Sequence, residues 1–232
     1  MFINKAFGRY VSPQVVNQLV KSHEKLSLKG DQKILSIFFS DIRDFTTISE
    51  QMDAQKLGML LNEYLTAMSD IIMTHGGLVD KFIGDAVMAL FGVTTAHEDD
   101  SIRAIKAAFE IHNEIDAMNE IYRDKIGQPL IMHSGINSGL VVTGELDAEK
   151  GTHSVAGDPI NLTSRICSLS KPGEIIVSSA TFQQAEGYFN FEPLGPAKVK
   201  GKKEPVQLYR VLSIKEHPIS KHRLSGLKAD LI

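Results

Sequence analysis

The sequence predicts an α+β fold: a mixed, mainly antiparallel sheet with helices packed against one face of it. Three observations lead there. Residues 33–40, KILSIFFS, are rich in β-branched and aromatic side chains and suit a buried central strand. Residues 78–83 and 86–91 are two short apolar runs split by Gly84-Asp85, the pattern of a hairpin. Between 57 and 72, and again from about Asp99 to Tyr122, apolar side chains recur at the 3.6-residue period of an amphipathic helix.

The remaining elements follow in order. Ser12-Pro13 offers a capping hydroxyl and a proline at a first helical position, so a helix is expected through Val15, Val16, Leu19 and Val20. A polar turn is expected at Asp41-Ile42-Arg43-Asp44, directly after the first strand. Gly76-Gly77 should stop the helix that carries Leu60, Tyr64 and Met68. Segments 130–137 and 140–146 read as a strand pair broken at Ser138-Gly139. Asp158-Pro159 opens a helix to about Ser170, and Lys-Pro-Gly at 171–173 ends it. A strand over 174–178, a short helix near 180–186 and a closing strand over 207–212 complete the domain. Residues 1–30 are expected to be a lead-in segment, 31–212 the main domain and 213–232 a basic tail.

Composition excludes several function classes. Twenty-five basic against 28 acidic side chains give a net charge of -3, so there is no broad basic footprint for nucleic acid. The single cysteine, Cys167, cannot form an internal disulfide, which fits a reducing, cytoplasmic setting. No apolar run approaches the roughly 18 residues of a membrane span, and a signal-peptide core is missing. A longer parent protein with a membrane part stays open. The eight histidines show no close zinc-binding spacing, and Gly135, Gly139 and Gly144 form neither GxGxxG nor a P-loop.

Two aspartates are the first candidates for chemistry. Asp41 follows an apolar strand and Asp85 occupies a hairpin turn; singly, each reads as a turn former. On neighbouring strands, the two carboxylates would hold hard divalent cations, since magnesium takes a few carboxylates plus substrate phosphate oxygens. Asn161 and Arg165 lie four apart and share one helix face, where an amide and a guanidinium suit a ribose and a developing phosphorane charge. Lys200, Lys202 and Lys203 surround Gly201 in a basic loop that would suit a triphosphate, and Lys81 sits just ahead of Gly84-Asp85.

The stretches FFSDIRDFTTISE at 38–50, GGLVDKFIGDAVMALFG at 76–92, SGINSGLVVTGEL at 134–146, VAGDPINLTSRI at 155–166 and VKGKKEPVQLYRV at 199–211 occur in the order of the class III nucleotidyl cyclases. The resemblance covers roughly 31–212, and FGRYVSPQVV resembles the lead-in of bacterial multidomain sensors. It implies a cyclase homology domain with a ferredoxin-like core, fed by an upstream sensor. It also implies two divalent cations, Mg2+ or Mn2+, on Asp41, Asp85 and the Ile42 carbonyl, and phosphate contacts from the amides of Phe45 and Thr46 and from Lys200. Lys81 and Ser154 match the purine-reading positions, Asn161 and Arg165 the ribose and transition-state pair, and Lys150 stands near a usual phosphate-binding arginine. The family's sites are shared across a head-to-tail dimer, so a homodimer acting on ATP is implied, with 3',5'-cyclic AMP and pyrophosphate as products. A lysine ammonium only donates and suits adenine N1, an acceptor. Ser154 departs from the usual Asp or Thr, and its hydroxyl can donate or accept; a guanylyl or dual-specificity cyclase therefore remains an alternative, as does a silent nucleotide-binding module. Thr163 in place of alanine, and Glu149 beside Lys150, are further departures.

Overall fold

The structure, a computed structural model, describes residues 31–126, 128–147 and 152–218; the expected lead-in helix, Lys150 and the end of the expected tail lie outside these residues. The first strand, β1 (Asp31–Ile42), is apolar on both faces because it is buried on both. Leu35, Ile37 and Phe39 enter one apolar cluster and Phe38 and Ile42 another. After it come α1 (Phe45–Gln51), α2 (Ala54–Thr74), the hairpin β2 (Leu78–Ile83) and β3 (Ala86–Phe91), and α3 (Asp100–Ile126). Then follow β4 (Met132–Asp147), β5 (Thr152–Ala156), α4 (Asp158–Leu169), β6 (Ile175–Ser178), α5 (Ser179–Ala185), β7 (Phe189–Ala197) and β8 (Val206–Ile214).

The strands form one sheet in the order β2-β3-β1-β4-β6-β8-β7, with β5 paired to β4. Only β4 and β6 run parallel; the other pairs are antiparallel, as expected. Helix α2 is capped by Asp53, whose carboxylate accepts from the amides of Gln55 and Lys56. It ends where Gly76 takes a left-handed φ of 74°. The apolar stripes of α2 and α3, including Tyr64, Met68, Ile105 and Ile111, close the main core against one face of the sheet.

The opposite face is covered too, which corrects the expectation of helices on one face only. Leu162 and Ile166 of α4 pack with Ile176, Val199 and Leu208, while Cys167 packs with Leu35, Ile37 and Phe39. Glycines allow this close approach: a Cβ on Gly135 would lie 2.4 Å from the Cys167 amide nitrogen, and one on Gly139 2.7 Å from Pro159 Cγ. That also explains why β4 runs unbroken through Ser138-Gly139, where a turn was expected. Gly139 is paired with Leu35 and serves helix packing; Ser138 shares a hydrogen bond of 2.9 Å with Ser36 across the sheet.

Asp41 and Ile42 likewise belong to β1, paired with His133 and Met132, so the turn shrinks to Arg43-Asp44, with Asp44 left-handed at φ 55°. Two strands went unforeseen. β7 contains Pro193, Gly195 and Pro196, tolerated because it is an edge strand with a register shift between Pro193 and Gly195. β5 is short and polar and, among the described residues, pairs only with β4. The closing strand also runs on to Ile214, past the expected start of the tail.

Candidate active site

The register of β1 with β3, Ser40 opposite Val87, sets the Gly84-Asp85 turn beside the end of β1. Gly84 turns the chain there with φ 67°. Asp85 Oδ2 accepts a 3.1 Å hydrogen bond from the Ile42 amide, which fixes its carboxylate against the strand that carries Asp41. The two carboxyls meet: burial, then a hydrogen bond with Asp41 and the charge of Asp41, push Asp85 up to about 7. Asp41 Oδ1 is buried and has no hydrogen-bond partner among the described residues. A buried, unsatisfied carboxylate oxygen beside a second carboxylate is poor protein packing and a good half-shell for a hard cation. No group of three or more His, Cys, Asp or Glu converges among the described residues, so a cation held here would draw its remaining ligands from carbonyls, water or substrate oxygens.

Two residues around this pair escaped the sequence reading. Tyr64 of α2 is fully buried and its hydroxyl donates to Met132 Sδ at 3.3 Å. Burial, then the charges of Asp85 and Asp41, raise it well above the usual phenol range. His133 stands opposite Asp41 and its Nδ1 lies 2.9 Å from both the Cys167 carbonyl and Ser170 Oγ, tying the end of α4 to the carboxylate strand. Only the strand register reveals that neighbourhood; Tyr64 was legible as a core position and no more.

Past Asp44, α1 begins at Phe45 with no side-chain cap, and the amides of Thr47 and Ile48 bond to the Asp44 carbonyl. The amides of Phe45 and Thr46 therefore lack intrahelical acceptors. Lys81 is exposed on β2, opposite Met88, after a register shift between Val79 and Lys81. Met88 belongs to the cluster beneath α4, which sets Lys81 on that same face. Ser154 lies in β5, level with Gly144.

Asn161 is exposed on the first turns of α4, after Gly157 and Asp158-Pro159. The Arg165 Nη1 donates to the Lys200 carbonyl, and Gly201, at φ 78°, leaves room for that guanidinium: a Cβ there would lie 2.9 Å from Nη1. Lys200 thus meets Arg165 through its backbone while its side chain is exposed. Lys202 forms an ion pair with Asp158 and pins the loop to the start of α4.

Helix α4 starts far along the sheet from the carboxylates and ends close to them, since Cys167 packs on Gly135, which pairs with Phe39. Pro159 packs on Gly139, which pairs with Leu35, six residues along β1 from Asp41. Six strand residues span about 20 Å. Arg165 turns to the 199–201 loop, on the β8 side of α4, away from Asp41 and Asp85.

Residues 29–213 match the adenylate and guanylate cyclase catalytic domain. The chain belongs to that family. Among curated relatives, "Adenylate cyclase 1" of Rhizobium meliloti is 28% identical over 211 residues, covering 90% of this chain and 32% of the relative. The chain therefore spans about a third of that protein's length. Among solved structures, the adenylyl cyclase CyaB from P. aeruginosa superposes with a TM-score of 0.78 at 34% identity, covering 83% of this chain and 100% of the other. The guanylyl cyclase Cya2 superposes at 0.75 with 35% identity, covering 81% and 96%. Cyclase domains named for either base are thus equally similar to this one. The two-faced sheet described above is the fold of these catalytic domains, and no helix among the described residues is long and apolar enough to cross a membrane.

Proposed function

We propose that this cyclase domain is an adenylyl cyclase that converts ATP to 3',5'-cyclic AMP and pyrophosphate in sites shared by a head-to-tail homodimer. The observation that supports the reading is that the Arg165 guanidinium is held at the Lys200 carbonyl and Asn161 sits at the far start of α4, not at the carboxylate pair of their own chain. Asp41 and Asp85 lie at the end of β1, Asn161 lies on the turn of α4 whose Pro159 packs on Gly139, and Arg165 donates to the Lys200 carbonyl. A twofold pairing of copies supplies each half-site with its complement twice over.

Asp41, Asp85 and the Ile42 carbonyl would hold two divalent cations, Mg2+ or Mn2+, which when bound favour the 3'-alkoxide and neutralise the polyphosphate. The 3'-oxygen attacks the α-phosphorus, its proton passes to solvent, and the bond from the α-phosphorus to the bridging oxygen breaks to release pyrophosphate. Phosphate oxygens are received by the free amides of Phe45 and Thr46 and by Lys200; Lys150 is a further candidate on sequence grounds. Asn161 orients the ribose and Arg165 stabilises charge gathering on the phosphorane. Lys81 donates to adenine N1 and Ser154 accepts from the amino group.

Base choice favours ATP through Lys81, since guanine presents an N–H where adenine presents a lone pair. The ambivalent Ser154 hydroxyl supports a second reading, dual use of GTP. Residues 31–212 form the catalytic unit in this reading, and 1–30 couples it to an upstream sensor in a longer, cytoplasmic parent; the greater length of the relatives supports this. Incubation with ATP or GTP and Mn2+, followed by product measurement, tests the proposal. Cyclic AMP in excess is expected, cyclic GMP in excess would reverse the base assignment, and neither product would end the enzymatic reading.

A further inference from the structure

Lys81 follows Asp80 on β2, at the shift in register. The register of β2 on β3 runs from Val79 opposite Ala89 to Lys81 opposite Met88, so Asp80 is an extra, bulged residue. Such a bulge re-aims side chains and places consecutive ones on one side of the strand. The result is an unusual pair: the Asp80 side chain is 5% exposed, the adjoining Lys81 side chain 56%, and Nζ lies 3.1 Å from Oδ2. Oδ2 is buried and makes no aligned hydrogen bond among the described residues, so the Lys81 ammonium is its charge partner by proximity. A buried carboxylate oxygen without donors needs a nearby cation.

We propose that Asp80 is a positioning and specificity-determining residue: it anchors the Lys81 ammonium and forbids an acidic residue at position 81. This rests on Lys81 reading the base, as proposed above. The lysine stem is long and its rotamer freedom large; a fixed anion at its root restricts the directions in which the ammonium is presented. The same anion blocks the obvious route to guanine. A carboxylate at position 81 would suit guanine N1–H, but it would stand beside buried Asp80, and like charges in close contact are strongly disfavoured. Base choice is therefore held by two residues, one of which never touches the base.

The test is a set of variants in the whole chain, read by product formation and by thermal melting. Lys81→Glu alone should lose cyclic AMP formation without gaining cyclic GMP. Lys81→Glu with Asp80→Asn should make cyclic GMP on the order of tenfold faster than Lys81→Glu, the size expected for relief of one close charge clash. Equal cyclic GMP from both would overturn the proposal. Melting provides a readout independent of activity. Lys81→Met should lower Tm by stranding Asp80, and adding Asp80→Asn should restore it; additive losses would show that the two side chains do not act together and would also overturn it. A wild-type protein that makes neither product while this melting coupling holds would refute the proposed function and the base-selecting role with it, leaving only the anchoring contact.

Discussion

At neutral pH Asp85, lifted to about 7 by burial and by Asp41, shares a confined space with a second carboxylate that has an unpaired buried oxygen. Removing one charge should relieve that repulsion while removing a ligand. Asp85→Asn is therefore expected to raise thermal stability, by roughly 1 kcal/mol, and to lower cyclic AMP formation on the order of a hundredfold or more. Melting curves without divalent cation, alongside a product assay, check both; a variant both less stable and still active would contradict the account. Asp41 and Asp85 were legible in the sequence because strand-end and hairpin positions can be recognised from local pattern. Tyr64 and His133 were not, because their approach to the carboxylates depends on which strands and helices pair.

At the scale of elements, the helix that carries Asn161 and Arg165 is seated by close glycine contacts as well as by its apolar side chains. A Gly135→Ala substitution drives a methyl into the backbone of Cys167, with contacts of 2.4 and 2.7 Å, so α4 must lift off β4. A loss of about 1–3 kcal/mol is expected in denaturant unfolding, together with weaker catalysis as Asn161 and Arg165 shift. The sequence showed the start and end of α4 but not its side of the sheet, since Gly139 looks like a strand break until a helix is laid across it.

On the other face, α3 half-buries His112, whose Nε2 lies 2.9 Å from Ser134 Oγ; Ser134 in turn shares a 2.8 Å hydrogen bond with Ser40. Burial, then the charge of His133, lowers His112 to about 4. An unfolded chain takes up that proton near 6.5, before the folded one does. Stability from this group is therefore complete above about 6.5 and lost as pH falls towards 4, amounting to roughly 3 kcal/mol over the window. Denaturant unfolding at pH 7 and pH 4.5 should show the loss, and His112→Gln should flatten it; an unchanged slope would remove His112 from the explanation.

For the whole molecule, the resemblance made both groups of residues legible, while their separation in one chain depends on strand register and on where the Arg165 side chain is held. Leu35 opposite Gly139 sets the Pro159 end of α4 six strand residues from Asp41, and the Lys200 carbonyl holds Arg165. That separation makes the central claim testable by mixing. Asp41→Ala and Arg165→Ala proteins should each be inactive alone. After subunit exchange in equal amounts, half of the dimers should hold one intact site, giving about a quarter of wild-type cyclic AMP formation. Activity near that level would bear out the shared site. No recovery, with subunit exchange demonstrated independently, would contradict it.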